Sequence, residues 1–197
     1  MTIHNDYDLA PLLWYKIGGK AKYLLECNSR DDVLEALDFI QKGSIQKVFF
    51  LGTGSNLVFT DEYFDGAIIC FAKPDTPSFT VDGNIVTAYA GEILGEFIEF
   101  AFKNNLIGLE WAGGLPGTVG AAVRGNVGAY GGEIKDTLVS ADVAIITDEG
   151  IQVKTLTNEE LKFEYRGSVI KEHNNTMIVL SASCQLKKAN AQEVLEA

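Results

Sequence analysis

Apolar positions in the first third of the chain recur first at helical and then at strand spacing. Val33, Leu34, Leu37 and Ile40 lie on one helical face. Ser29 with Asp32 makes a capping box in front of them, and Gly43 follows them, so a helix is predicted between. The apolar run KVFFL, residues 47–51, predicts a strand, and NLVF (56–59) and GAIICFA (66–72) predict two more. Pro74 and Pro77 then break the pattern. The expected boundary falls there, between a first lobe of residues 1–74 and a second of residues 75–197.

In the second part, SFTVDGNIVTAYA alternates in polarity around Asp82, Gly83 and Asn84, which predicts a hairpin. Ile93, Leu94, Phe97, Ile98, Ala101 and Phe102 form one helical face that should end near Asn105 to Gly108. A second hairpin, LVSADVAIITDEGIQVKTL, is predicted to turn at Asp148 to Gly150. Thr157 to Glu160 reads as a capping box opening a short helix, MIVLSASCQLKK as a late strand, and NAQEVLEA as the start of a helix. Hairpins mixed with helices predict an α+β protein of two lobes rather than one doubly wound sheet.

Composition narrows the partners. The 197 residues are 47% hydrophobic, enough for a well-buried core, and carry a formal net charge of -11 with no basic run. Nucleic acid is therefore excluded as an expected partner, and an anionic ligand would have to be held locally. Cys27, Cys70 and Cys184 are far apart without metal-ligand spacing, so no metal site is expected and three inert buried thiols fit a reducing cytoplasm. The N-terminal segment MTIHNDYDLAPLLW is acidic where a signal peptide is basic, and no apolar run is long enough to span a bilayer. A cytoplasmic chain without a membrane partner is expected.

The candidate chemistry lies in three stretches. In the first, Leu51, Gly52, Thr53, Gly54, Ser55, Asn56 and Leu57 form a loop nearly free of bulky side chains, whose backbone N–H groups could bind an anion. It is no dinucleotide fingerprint, because Leu57 stands where the third glycine belongs. Gly18-Gly19-Lys20 is no Walker loop, because Ala21 follows. A tight turn without ligand is the competing reading. The second stretch, Leu109 to Glu133, is too apolar for a linker and too rich in glycine for a regular element. Pro116 can start a turn, Gly117 and Gly120 permit close approach, and TVGAAV could form a helical turn with N–H groups aimed at a phosphate. Two such nests in an acidic chain suit an extended diphosphate, against a packed core crossing as the alternative. Arg124 is a candidate contact for phosphate or substrate. In the third stretch, FEYRGS, the always-charged Arg166 is a candidate electrostatic catalyst. Glu92 and Glu110 read as caps or salt bridges, and His4 and His173 as solvated.

Taken together and in order, these stretches resemble the UDP-N-acetylenolpyruvoylglucosamine reductase family. Gly18, Gly19 and Ala21 match its Gly-Gly-x-Ala, and Leu51 to Asn56 match its Leu-Gly-x-Gly-Ser-Asn. Gly114 to Val123 match its Gly-(Ile/Leu)-Pro-Gly-Thr-Val-Gly-(Gly/Ala)-Ala-Val block. Asn126 to Gly131 match Asn-x-Gly-Ala-Tyr-Gly, and Tyr165-Arg166-x-Ser168 matches Tyr-Arg-x-Ser. Leu12 and Leu13 depart from a usual Asn-Thr, Ala121 from a frequent glycine and Val127 from an alanine.

The resemblance implies a two-lobed FAD-binding fold of the vanillyl-alcohol-oxidase (PCMH) type, with the 51–57 loop on the flavin pyrophosphate. It places Gly114, Pro116, Gly117, Thr118, Val119, Gly120, Asn126, Gly128, Ala129 and Tyr130 along the flavin, and Arg166, with Tyr165 beside it, at the substrate carboxylate. The implied reaction reduces a UDP-sugar enolpyruvyl ether with FAD and NADPH, in peptidoglycan synthesis. In the family the proton donor is a serine of a third, substrate-binding domain, assisted by a distant glutamate. Neither lies within these 197 residues, and Ser168 is expected to be structural. The chain alone is thus expected to bind flavin and to catalyse poorly. A stand-alone FAD-binding module served by a partner chain, a remnant that only folds, and a flavin oxidase of the same fold are the alternatives.

Overall fold

The computed structural model describes residues 1–173 and 175–196. Its first sheet is built from β1 (Thr2–Asp8), β2 (Lys20–Cys27), β3 (Val48–Leu51) and β4 (Phe64–Phe71), in the order β1-β2-β4-β3. β1 runs antiparallel to β2, while β2, β4 and β3 are parallel. Parallel strands need crossovers; helix α1 (Arg30–Lys42) carries the chain from β2 to β3, on the far side of β4. Ser29 Oγ accepts the Asp32 N–H at its N-cap; Val33, Leu37 and Ile40 are buried as predicted, while Ala36 joins them and Leu34 is only half-buried.

Two features of this half depart from expectation. β1 and β2 carry no predicted strand, and TIHNDYD hides its strand because it is exposed on nearly every residue and so lacks alternation. The strand predicted at NLVF does not form. Residues 55–56 are a turn and residues 57–60 have no ladder; Thr60 O instead accepts the Gly19 N–H at 2.8 Å. Leu57 and Phe59 serve as packing, the latter edge-on to Phe49 at 5.1 Å.

The second sheet holds β5 (Thr80–Asp82) and β6 (Ile85–Tyr89), joined by the predicted hairpin at Gly83-Asn84. Helix α2 (Leu94–Lys103), β7 (Leu106–Ile107), helix α3 (Val119–Arg124) and the small hairpin of β8 (Gly128–Ala129) and β9 (Gly132–Glu133) follow. The sheet is completed by β10 (Leu138–Thr147), β11 (Gly150–Thr157) and, after the short helix α4 (Val169–Glu172), β12 (Met177–Gln185); its order is β11-β10-β12-β6-β5. β13 (Lys187–Lys188) pairs with β7, and α5 (Ala191–Glu196) forms within NAQEVLEA, whose last residue, Ala197, lies outside the described residues.

The capping box at Thr157 and Glu160 forms, but the helix behind it does not propagate. Glu160 accepts the Thr157 N–H at 2.8 Å, one turn closes from Leu161 N–H to Thr157 O at 3.1 Å, and Lys162 then enters the left-handed region at φ 46°.

One apolar core joins the two sheets and their helices: Leu25 of β2 with Val33 and Leu37 of α1 pack in the same cluster as Val86 of β6, Phe97 of α2 and Leu180 of β12. At the seam the buried Tyr89 hydroxyl donates to Cys27 O at 2.9 Å. All three cysteines are buried and free, and burial pushes the Cys27 and Cys184 thiols up to about 12 and Cys70 to about 11.

Candidate functional site

β3 ends at Leu51 and the chain leaves the sheet through Gly52 to Leu57. Gly54 sits at φ 65°, and a Cβ there would stand 2.5 Å from Leu12 O, so both its conformation and its surroundings demand glycine. Among the described residues, no protein acceptor meets the N–H groups of Gly52, Thr53, Gly54, Ser55, Asn56 or Leu57. This run of unmet donors is the local arrangement of an anion nest.

Facing it is the N-terminal end of α3. Thr118 is the N-cap, its Oγ1 accepting the Ala121 N–H at 3.3 Å. The preceding turn is pinned to the start of α2: Gly117 O accepts the Leu94 N–H at 3.0 Å, and the Val119 N–H donates to Glu92 O at 2.9 Å. The N–H groups of Gly117 and Thr118 also lack a protein acceptor among the described residues.

Between these walls lies a cleft of about 540 Å³, within the range of small-molecule and cofactor sites. Gly52, Thr53, Gly54, Ser55, Asn56, Leu57, Pro116, Gly117, Thr118 and Arg124 all line it. Leu51, Gly120 and again Arg124 line a smaller adjoining cavity of about 80 Å³. Arg124 is half-buried, and burial holds its guanidinium pKa below the ordinary value; among the described residues it is the cation of the lining, and it remains charged at neutral pH. Sequence reasoning missed the apolar wall of Phe49, Phe50, Leu94 and Val127, and also Asn175; the edge position of β3 is not visible in a linear pattern.

Other expected flavin contacts are not among the residues lining the larger cleft. Val119 is buried in the core. Gly120 serves packing, since a Cβ there would stand 2.7 Å from Ala90 Cβ. Gly114 lines neither cavity and adopts φ 79° with open space beside it. The fully buried Asn126 is a structural latch: its Nδ2 donates to Glu164 O at 2.9 Å and Glu133 Oε2 at 3.1 Å, while its Oδ1 accepts the Lys135 N–H at 3.2 Å.

That latch organises a second cluster outside the cleft lining, made of Gly128, Ala129, Tyr130, Tyr165 and Arg166. Arg166 Nη2 donates to Gly128 O at 2.8 Å, its backbone is left-handed at φ 56°, and its guanidinium lies 5.9 Å from the Tyr165 ring centroid. Tyr130 and Tyr165 are highly exposed. Lys135 first, and Asn126 after it, hold the Glu133 carboxyl below its ordinary range. Ser168 is structural, as expected: it is buried, caps α4, and donates from Oγ to Arg124 O at 2.7 Å, tying the Arg166 turn to the cleft helix.

The carboxylates flanking the glycine stretches have structural partners. Glu110 accepts the Gly108 N–H, and the fully buried Glu92 accepts the Ser78 N–H through Oε1, while its Oε2 has no partner among the described residues. His4 pairs with Glu26 at 3.1 Å. Among the described residues no group of three or more His, Cys, Asp or Glu is placed to hold a metal, and no helix is long and apolar enough to cross a membrane.

The FAD binding domain family matches residues 21–155. UDP-N-acetylenolpyruvoylglucosamine reductase of Caldicellulosiruptor bescii is 38% identical over 190 residues, covering 96% of this chain and 58% of the relative. The enzyme of the same name from Latilactobacillus sakei is 37% identical over 196 residues, covering 100% of this chain and 62% of the relative. Among solved structures, UDP-N-acetylenolpyruvylglucosamine reductase from Thermus caldophilus superposes with a TM-score of 0.74 at 27% identity, covering 99% of this chain and 65% of that one. The chain thus spans about three fifths of the length of these relatives. The fold is the two-lobed FAD-binding fold of the vanillyl-alcohol-oxidase type, and both the facing sets of unmet N–H donors and the size of the cleft fit an extended dinucleotide. The chain belongs to the FAD binding domain family.

Proposed function

We propose that this chain is the flavin-binding part of a cytoplasmic, NADPH-driven reductase that converts UDP-N-acetylenolpyruvoylglucosamine to UDP-N-acetylmuramate for peptidoglycan. The observation that carries this reading is the cleft, in which two glycine-rich stretches far apart in sequence converge with their backbone donors unmet. The names of the relatives support the substrate and the reduction. We draw the lobe boundary between residues 74 and 75, in the stretch between β4 and β5.

The N–H groups of 52–57 and of Gly117 and Thr118 take the diphosphate, each bond to a charged oxygen contributing ~1.5–3 kcal/mol. Arg124 adds the countercharge that the acidic chain otherwise withholds. When bound, FAD supplies a carrier for the hydride that passes from NADPH to the enolpyruvyl ether. Among the described residues Arg166 donates Nη2 to Gly128 O, and its other guanidinium N–H groups grip the substrate carboxylate beside Tyr165. A preorganised donor at that place lowers the barrier by ~2.7–4 kcal/mol as charge develops. Ser168 is committed to the α4 cap and to Arg124 O, so the proton for the substrate comes from a group outside this set. Gly128, Ala129 and Tyr130 shape the substrate side rather than the diphosphate side.

The test is to add FAD to the purified chain, desalt, and record the visible spectrum. Stoichiometric flavin bands that bleach on anaerobic addition of NADPH are expected, and a colourless protein would overturn the reading.

A further inference from the structure

The loop that braces the anion nest carries a large aromatic side chain, Trp14, that is mostly exposed. Trp14 donates its backbone N–H to Gly54 O at 3.1 Å. A Cβ on Gly54 would also lie 2.5 Å from Leu12 O and 3.1 Å from Leu13 Cα. The backbone of 12–14 is thus fitted to the left-handed centre of the nest, and the two segments hold one another in place.

The two side chains that follow, outside the residues that line the cleft, face solvent rather than the core. Trp14 is 72% exposed and Tyr15 59%. Leu13, immediately before them, is buried, so the chain turns from core to solvent where it meets the nest. At the other end of the nest, Val58 is also exposed, directly after Asn56 and Leu57 of the cleft lining. Exposed indole and phenol rings on a rigidly held backbone, beside unmet phosphate donors, make a stacking platform for a planar heteroaromatic ring.

We propose that Trp14, with Tyr15 beside it, stacks on a ring of the bound flavin dinucleotide and so adds an aromatic contact to the backbone donors of the cleft. The proposal rests on the FAD reading above. It commits to a heteroaromatic ring, whose two sources, the isoalloxazine and the adenine, are separated by the experiment.

FAD is titrated into the wild-type chain and into Trp14→Leu and Trp14→Phe, with FMN and ADP-ribose titrated separately. The exposure of Trp14 means that both variants should keep the wild-type thermal midpoint without ligand. Trp14→Leu is expected to raise the FAD dissociation constant about tenfold, and Trp14→Phe, which keeps a stacking ring, less than about threefold. Weakening that follows FMN assigns the isoalloxazine to Trp14, and weakening that follows ADP-ribose assigns the adenine. Equal FAD affinity in wild type and Trp14→Leu would overturn the proposal and leave the FAD reading standing. A wild-type chain that binds no FAD would overturn both.

Discussion

Gly52 and Thr118, one on the loop after β3 and the other at the N-cap of α3, meet across the cleft. A Cβ added to Gly52 would stand 3.2 Å from Thr118 Oγ1 and 3.3 Å from its Cγ2. The two donor stretches are therefore one surface, closed at its floor by this contact. Because Thr118 Oγ1 is also the acceptor of the Ala121 N–H, it can yield to a new methyl group only by loosening the cap. Gly52→Ala should weaken FAD binding about tenfold, ~1.4 kcal/mol, while lowering the thermal midpoint by only a few degrees. Flavin retained after desalting, set beside a melting curve, checks this.

Thr118 itself is a separable case. Thr118→Ala removes the side-chain acceptor of a helix only six residues long, at an expected ~0.5–2 kcal/mol of stability, and Thr118→Ser should recover most of it. Urea unfolding of the flavin-free chain measures both. A loss no larger in Ala than in Ser would refute the capping role.

Asn126 should behave as a latch. Asn126→Ala strands Glu164 O and the Lys135 N–H and leaves alanine at φ 41°. The expected loss is ~2–4 kcal/mol, from a buried unmet partner and the left-handed backbone. Its amide is fully committed outside the cleft lining, so the FAD affinity of the fraction that remains folded should stay within about threefold of wild type. A large affinity loss at full stability would restore a direct contact.

Gly120 gives the opposite kind of result from Gly131. A methyl group at Gly120 meets Ala90 Cβ at 2.7 Å and Ala90 O at 3.1 Å, between buried elements, whereas at Gly131 it meets open space and only the backbone angle of φ 88° opposes it. Gly120→Ala should cost ~1–3 kcal/mol by overpacking, with flavin lost in step as the chain unfolds. Gly131→Ala should cost about 1–2 kcal/mol and leave the cleft untouched. Paired denaturation curves with and without FAD separate the two.

What could be read in the sequence was what is encoded locally. The glycine runs, the Ser29 cap, the helical turn of TVGAAV and the hairpin at Gly83-Asn84 each depend on neighbours within a few residues. The latch role of Asn126 was not legible because its partner, Glu164 O, is 38 residues away. NLVF failed as a strand because a short apolar run also describes a segment whose Leu57 and Phe59 pack against a core while its backbone joins no ladder among the described residues. β1 was invisible for the converse reason: its backbone pairs with β2 while its side chains stay largely in water.

Acid should probe the second half of the chain through Glu160. The Thr157 N–H first, and its hydroxyl second, hold this carboxyl below its ordinary 4.5. Glu133 is depressed likewise, by Lys135 and then Asn126. A carboxyl with a depressed folded pKa takes up its proton more readily in the unfolded chain. Its contribution is therefore present in full above the unfolded value and drains away as pH falls through the folded one. The unfolding free energy should decline between about pH 5 and pH 3, and Glu160→Gln, which cannot ionise, should flatten that decline while lowering stability at neutral pH. Urea curves at several pH values report the slope directly. Parallel slopes in wild type and Glu160→Gln would mean that the capping box at Thr157 holds its carboxylate no more tightly than water does.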